Sequence, residues 1–237
     1  MQGRGIYYDA HGAIKDMVQS HMLQLLALTA MEAPRKLEAA AIRSAKAKVL
    51  KKVHIAKVVR GQYEGYLQEK HVNPRSKTET FIAIKALIDN KRWRGVPFYL
   101  TTGKCMPSKE SYIQVNFKKA DCLLSACPSE SNYFRINIEP NEGFYLSLNA
   151  KVPGKAIEVT PVTMELPHAR LLGPNTPEAY EILLADIMKG DQSAFVRGDE
   201  VQISWKIVEQ IDRVQDAKLY SYQPGSAGPK ETKKIFS

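Results

Sequence analysis

The stretch YYDAHGAIKDMVQSHMLQLLALTAMEAP, residues 7–34, decides the fold of this chain. Its apolar residues recur close to helical spacing, which predicts one long amphipathic helix over residues 12–31, closed by Pro34. His21 falls on the apolar stripe, seven residues after Ile14. An imidazole there is either a hydrogen-bonded core histidine or a base at the floor of a cleft, and the residues alone leave both open. The stripe consists of Ile14, Met17, Val18, Leu25 and Leu28.

The residues around this helix predict one short strand, a second helix and then a series of strands. The short strand covers residues 4–8, and an alanine-rich helix covers residues 36–53. Residues 60–76 contain Gly61, Gly65 and Pro74, which is turn and loop chemistry. Alternating apolar residues then predict strands, with polar turns between them. These strands lie near residues 81–88, 96–104, 112–117, 134–139, 144–148 and 157–159.

The order of these elements predicts the fold class. Several short strands without helices between them indicate an antiparallel sheet with one face covered. Helices return at the end: Thr176, Pro177 and Glu178 form a cap for one, and Asp199 caps another. The prediction is an α+β fold, a large antiparallel sheet with helices packed on one face. Residues 216–237 are polar and rich in Gly and Pro, which predicts a loose tail.

Composition restricts the compartment. The three cysteines are odd in number and lack CxxC spacing, which argues against a disulfide framework or a metal site and favours a reducing compartment. The sequence has no apolar run long enough to span a membrane and no signal-peptide pattern. We therefore expect a cytoplasmic protein without a membrane partner.

The net charge of +9 admits nucleic acid, an anionic membrane surface or an anionic small substrate as partner. The lysines are densest over residues 46–60, where they alternate with Val, Leu and Ile. This pattern is interpreted as the solvated face of a helix. A basic nucleic-acid-binding protein stays open as a less favoured alternative, because no nucleic-acid motif accompanies the lysines.

Five motifs, in order along the chain, resemble the glucose-6-phosphate dehydrogenase family. After residues 7–34 come RGQYEGY at 60–66, NKRWRGVPFYLTTGK at 90–104, EPNEG at 139–143, and the segment 180–205. The resemblance implies that residues 1–237 form the C-terminal domain of such an enzyme, with the N-terminal dinucleotide-binding domain absent. The implied activity is oxidation of glucose 6-phosphate to 6-phosphogluconolactone with NADP, in the pentose phosphate pathway. The isolated chain is expected to be inactive.

The same resemblance assigns candidate site residues. His21 matches the catalytic base, and Asp16 matches the aspartate that binds the sugar. Lys104 and Lys109 match cations that hold the substrate's oxygens and phosphate. Glu139 is assigned to substrate binding, although family members usually carry Gln there and an ionised Glu can only accept hydrogen bonds. On an α-helix, residues five apart point ~140° from each other, so Asp16 and His21 are expected to flank one ligand without sharing a face.

Cofactor and partner expectations follow from the resemblance as well. The substrate is glucose 6-phosphate, and the sheet is expected to form a homodimer. NADP is expected to bind mainly to the absent domain, since Gly3-Arg4-Gly5 lacks the preceding strand and third glycine of a Rossmann loop. Thr101, Glu110 and Asn137 replace cations of a structural NADP site, so no cofactor is expected on this chain. The alternative is a standalone, non-catalytic dimerisation or regulatory module.

Overall fold

The computed structural model describes residues 5–118, 132–155, 158–173, 179–214 and 218–236. The region predicted as one helix over residues 12–31 belongs to three consecutive helical segments in this structure. Helix α1 is Gly5–Ala13, a π-helix follows at Ile14–Met22, and α2 is Leu23–Ala30. The strand predicted over residues 4–8 is wrong, because residues from Gly5 onward are helical. Gly12 separates α1 from the π-helix with φ 65° and ψ −179°, a conformation that is essentially restricted to glycine.

Contacts divide the chain into two compact units, Met1–Pro107 with Leu183–Ser237, and Ser108–Ile182. The first unit contains a four-stranded sheet in the order β3-β2-β1-β8. Its strands are β1 (Val53–Tyr63), β2 (Phe81–Ile88), β3 (Pro97–Gly103) and β8 (Leu219–Tyr222). Neighbours are antiparallel except β1 and β8, which are parallel.

Helices cover the first sheet and form the core with it. Helix α3 is Ala39–Leu50 and α6 is Gly198–Arg213, and α6 packs against both β1 and α3. The helix predicted over residues 36–53 is therefore confirmed in its centre, but Val53 already begins β1. Apolar side chains from α2, α3, α6 and the central strands fill the space between the layers. The core includes Leu23, Leu26, Ala27, Leu50, Ile82, Ile84, Ile88, Ile207 and Ile211.

Lys46 is an exception to the predicted solvated lysine face. Its ammonium lies 3.0 Å from the Glu200 carboxylate, with side-chain exposures of 4% and 0%, so the ion pair is buried. The ammonium also donates to Gln24 Oε1 at 3.2 Å. Because Gln24 lies on α2, Lys46 on α3 and Glu200 on α6, this cluster joins three helices in the interior.

The second unit contains a separate antiparallel sheet, in the order β4-β5-β6-β7. Its strands are β4 (Ser111–Asn116), β5 (Tyr133–Glu139), β6 (Gly143–Lys151) and β7 (Val159–Pro167), followed by the short helix α4 (His168–Leu172). The predicted α+β class with antiparallel sheets is confirmed, and the described strands are divided between two sheets of four. The predicted strand residue Ile157 and the predicted cap at residues 176–178 lie outside the described residues.

Two predicted loops are partly wrong. Residues 60–63 complete β1 rather than starting a loop. The end of the chain is not a loose tail, because β8 pairs with β1 and the Tyr222 and Ile235 side chains are buried.

Helix α5, Ala179–Lys189, ends as predicted before Gly190. Helix α6 begins at Gly198, one residue before Asp199, and Asp199 accepts a hydrogen bond from the Glu200 backbone N–H.

Among the helices within the described ranges, none is both long and apolar enough to cross a membrane.

Candidate active site

The π-helix changes the expected relationship between Asp16 and His21. At its end, the Leu23 backbone N–H donates to the Val18 carbonyl, which is the five-residue hydrogen bond of a π-helix. Residues five apart therefore stand about one turn apart, whereas an α-helix would turn them away from each other. The α-helical period behind the prediction that Asp16 and His21 do not share a face therefore does not hold over this segment. Short π segments are frequent at functional sites.

The same geometry places His21 outside the core. Ile14 and Val18 are buried, Asp16 is partly buried, and the His21 imidazole is exposed. The sequence-based prediction placed His21 on the same apolar stripe as Ile14 and Val18, because it applied the α-helical period to the whole segment. Of the two interpretations of His21, the structure favours the accessible imidazole over the buried, hydrogen-bonded one.

Lys104 directly follows β3 and is held by backbone hydrogen bonds. Its N–H donates to the Thr80 carbonyl at 2.8 Å, and its carbonyl accepts from the Tyr222 hydroxyl at 2.7 Å. The side chain folds over the Tyr8 ring, with the ammonium 4.8 Å from the ring centre. A cation over an aromatic face is held electrostatically, so this contact fixes the position of the charge.

Tyr8, the ring beneath Lys104, is a buried residue of α1. The ring is 3% exposed, and this burial raises the pKa of Tyr8 above its ordinary value. The negative charges of Glu79 and Asp16 raise it further, so both carboxylates lie within electrostatic range of the hydroxyl. The Lys104 ammonium thus contacts a buried tyrosine whose pKa also responds to the charge of Asp16. Sequence reasoning missed Tyr8, because a tyrosine in a predicted strand carries no signal of this role.

Asp9 supports this group from α1. Its carboxylate accepts hydrogen bonds from the Tyr66 hydroxyl at 2.9 Å, the Asn73 backbone N–H at 3.2 Å and the Ser76 hydroxyl at 2.5 Å. Partial burial acts to raise the pKa of Asp9, but these hydrogen bonds favour the ionised form and leave the pKa below its ordinary value. Asp9 therefore ties α1 to the loop before β2. A helical aspartate is common on protein surfaces, so the sequence gave no reason to select it.

Lys109 and Glu139 belong to the second unit, whereas Asp16, His21 and Lys104 belong to the first. The Lys109 ammonium and the Glu139 carboxylate lie 3.9 Å apart, and both side chains are largely exposed. This distance describes an ion pair, so the carboxylate at position 139 offsets part of the charge of Lys109. The structure thus brings these two predicted residues to each other.

The fold and this cluster define an α+β domain that presents an imidazole, a carboxylate and an ammonium from one compact unit. A solved structure described as glucose-6-phosphate dehydrogenase in complex with its substrate glucose-6-phosphate superposes with a TM-score of 0.88 and 33% identity. It aligns with 98% of this chain, which covers 51% of that structure.

Sequence relatives agree with the structural likeness. Glucose-6-phosphate 1-dehydrogenase of Bacillus subtilis is 42% identical over 255 residues, which span 98% of this chain and 52% of the relative. The cytoplasmic glucose-6-phosphate 1-dehydrogenase 6 of Arabidopsis thaliana is 40% identical, over 99% of this chain and 47% of the relative. The profile of the family "Glucose-6-phosphate dehydrogenase, C-terminal domain" matches residues 1–237. The chain belongs to this family, and it spans about half the length of the curated relatives that it matches.

Proposed function

We propose that this chain is the substrate-binding half of a glucose-6-phosphate dehydrogenase, which oxidises glucose 6-phosphate at C1 and transfers the hydride to NADP. The observation that carries the proposal is the arrangement in the first unit. Asp16 and His21 lie five residues apart on the π-helix, and the Lys104 ammonium lies over the ring of Tyr8, which precedes this helix. Membership in the family supports the same reaction.

Each side chain has a role that suits its chemistry. The exposed His21 imidazole takes the proton of the C1 hydroxyl as a general base. The Asp16 carboxylate accepts hydrogen bonds from sugar hydroxyls. Lys104 supplies a compact positive charge for phosphate or sugar oxygens. Lys109 is proposed as the second cation, and Glu139 as an acceptor for a sugar hydroxyl.

NADP, when bound, supplies the hydride acceptor. The described part of this chain does not fit the coenzyme on its own: its parallel strand pair, β1 and β8, is not joined by a Gly-rich strand–turn–helix unit of the dinucleotide-binding type. We assign the coenzyme to the half of the enzyme that this chain does not match. The absence of a structural NADP on this chain stays a prediction, tested by the absorbance of the purified, dialysed protein.

The calorimetric titration of this chain with glucose 6-phosphate tests the site, with glucose and inorganic phosphate as controls. The expected result is binding of glucose 6-phosphate that Lys104→Ala weakens and that neither control ligand reproduces. Lys91→Ala is the matched control, because Lys91 is an exposed lysine in a turn of the same unit. Equal losses in the two lysine variants would contradict the role of Lys104.

We further propose that the chain forms a homodimer through the sheet of the second unit. Strand register and alternation put ten neighbouring apolar side chains on one face of this sheet. On β7, Val162, Met164 and Leu166 are 47%, 54% and 43% exposed, which leaves apolar area for a second copy to cover. The face consists of Ile113, Val115, Phe134, Ile136, Phe144, Leu146, Leu148, Val162, Met164 and Leu166.

Sedimentation of the purified chain tests the dimer. Met164→Glu places a charge in the apolar face and is expected to give monomers. Thr163→Glu, its neighbour on the opposite face, is the control and is expected to leave the dimer intact. A wild-type chain that sediments as a monomer at high concentration would contradict the proposal.

We also propose that the protein is cytoplasmic, as the name of the Arabidopsis relative states for that protein.

A further inference from the structure

The tripeptide Thr78–Glu79–Thr80 joins the two sides of the proposed substrate site. The Thr78 hydroxyl donates to the Asp9 carbonyl at 2.7 Å, on α1. The Glu79 carbonyl accepts from the Ala13 N–H at 3.1 Å, where the π-helix begins. The Thr80 carbonyl accepts from the Lys104 N–H at 2.8 Å. Three consecutive residues therefore bond to the helix that carries Asp16 and His21 and to the backbone of Lys104.

The side chain of Glu79 makes a separate contact with the same helix. Its Oε1 accepts a hydrogen bond from the Ile14 N–H at 3.0 Å. The break at Gly12 leaves the N–H groups at the start of the π-helix without partners from α1. Ala13 and Ile14 are 1% and 8% exposed, so water does not replace these partners. Glu79 thus satisfies two buried donors, one with its carbonyl and one with its carboxylate.

The contact extends to Gly12. A Cβ atom at this position would collide with the Glu79 carboxylate, so the glycine and the carboxylate occupy adjoining space. Desolvation by burial raises the pKa of Glu79, whereas the Ile14 N–H favours its ionised form. A partly buried carboxylate that accepts a hydrogen bond from the first turn of a helix helps to fix the position of that helix.

We propose that Glu79 is a positioning residue that holds the π-helix in register and so sets Asp16 and His21 relative to Lys104. The far end of the segment is fixed by α2, whose Leu23, Leu26 and Ala27 are in the core. With the near end released, the nine residues between can rewind toward the α-helical period, in which Asp16 and His21 diverge. The expected effect on substrate binding rests on the proposed function. The contacts between Glu79 and the π-helix do not depend on it.

The test compares Glu79→Ala with Glu79→Gln in the complete chain. Gln keeps the oxygen that accepts from Ile14, whereas Ala removes it. We expect Glu79→Ala to weaken glucose 6-phosphate binding about tenfold and to accelerate amide hydrogen exchange at Ile14 by a similar factor, with Gln close to wild type. Glu79→Asp, which keeps the charge but shortens the reach, replaces Ala if that variant does not fold.

The control is Asp199→Ala, which removes a carboxylate that accepts the Glu200 N–H in the first turn of α6. This variant is expected to leave glucose 6-phosphate binding and the Ile14 amide unchanged. Unchanged exchange at Ile14 in Glu79→Ala, or equal losses of binding in the Ala and Gln variants, would overturn the proposal. If the wild-type chain binds no glucose 6-phosphate, the proposed function fails. Exchange at Ile14 and the NMR shift of the His21 ring, which need no ligand, then decide the positioning role separately.

Discussion

The Lys104 ammonium lies 4.8 Å from the centre of the Tyr8 ring, and Asp16 lies within electrostatic range of the same tyrosine. Tyr8 belongs to α1, before the Gly12 break, and Lys104 follows β3. The two residues thus connect parts of the chain that are distant in sequence.

Tyr8→Leu is expected to weaken glucose 6-phosphate binding, because it removes the aromatic face that holds the Lys104 ammonium. Such contacts contribute about 0.5–2 kcal/mol, so the loss is about two- to thirtyfold. Tyr8→Phe keeps the face and is expected to bind normally. Tyr99→Leu is the control, since Lys85 lies over the Tyr99 ring at 5.8 Å, away from the candidate residues. A loss in Tyr8→Phe as large as in Tyr8→Leu would contradict the role of the ring.

Lys46→Met is expected to lower the free energy of unfolding by about 3–5 kcal/mol, because it leaves the Glu200 carboxylate buried without its partner. Removing both charges, in Lys46→Met with Glu200→Leu, is expected to recover most of this loss. Lys48→Met is the control: its pair with Glu32 is exposed and contributes about 0–1 kcal/mol. Urea denaturation measures all three. Equal effects at positions 46 and 48 would show that the pair is not buried.

Gly12→Ala is expected to destabilise the chain for two reasons. The backbone conformation is essentially restricted to glycine and costs about 1–3 kcal/mol for another residue, and a Cβ would collide with the Glu79 carboxylate. Gly95→Ala isolates the first effect, because Gly95 has φ 78° and open space around its Cα. Denaturant titrations are expected to show a larger loss at position 12. A smaller loss at position 12 would contradict the described contact.

Asp9→Asn is expected to destabilise the chain more at neutral pH than in acid. The hydrogen bonds hold the pKa of Asp9 below its ordinary value of 3.8, so its ionised form stabilises the fold above pH 3.8. This contribution is lost as the pH falls through the lower pKa of the folded state. Thermal unfolding of both proteins at pH 7 and in stronger acid measures the difference. A constant difference across this range would show that the carboxylate is not selectively stabilised.

Sequence periodicity predicted the segments with regular patterns. The alternation of apolar residues over 81–88 corresponds to β2 residue for residue, and the strands near 134–139 and 144–148 correspond to β5 and β6. These predictions succeeded because each strand carries a row of apolar residues on at least one face. The division into two sheets was not predictable, because alternation within a strand carries no information about which strands pair.

The π-helix was not predictable from periodicity, because contacts with residues outside the helix determine its wider turn. Glu79 holds its start from a distant loop, and the core holds its end. The apolar stripe is too short to distinguish the two periods over nine residues. As a result, the family resemblance identified Asp16 and His21, but the α-helical period put them on different faces.

Strand β8 was missed for another reason. It has four residues, pairs with β1 by main-chain hydrogen bonds and lies within a polar, Gly- and Pro-rich segment. Tyr222 nevertheless reaches the Lys104 carbonyl, so the end of the chain supports a candidate residue. Composition describes the average of such a segment and does not single out the side chains that are buried, such as Tyr222 and Ile235.

The central claim is that His21 is the base of a dehydrogenase site. The most direct test joins this chain to the unmatched half of the Bacillus subtilis relative and measures NADP reduction by glucose 6-phosphate. We predict activity that His21→Asn lowers by about 10²–10⁴-fold, the usual contribution of a general base. His11→Asn, an exposed histidine on α1 with a hydrogen bond to the Tyr7 carbonyl, is the control and is expected to stay active. A folded hybrid in which His21→Asn keeps full activity would contradict the account.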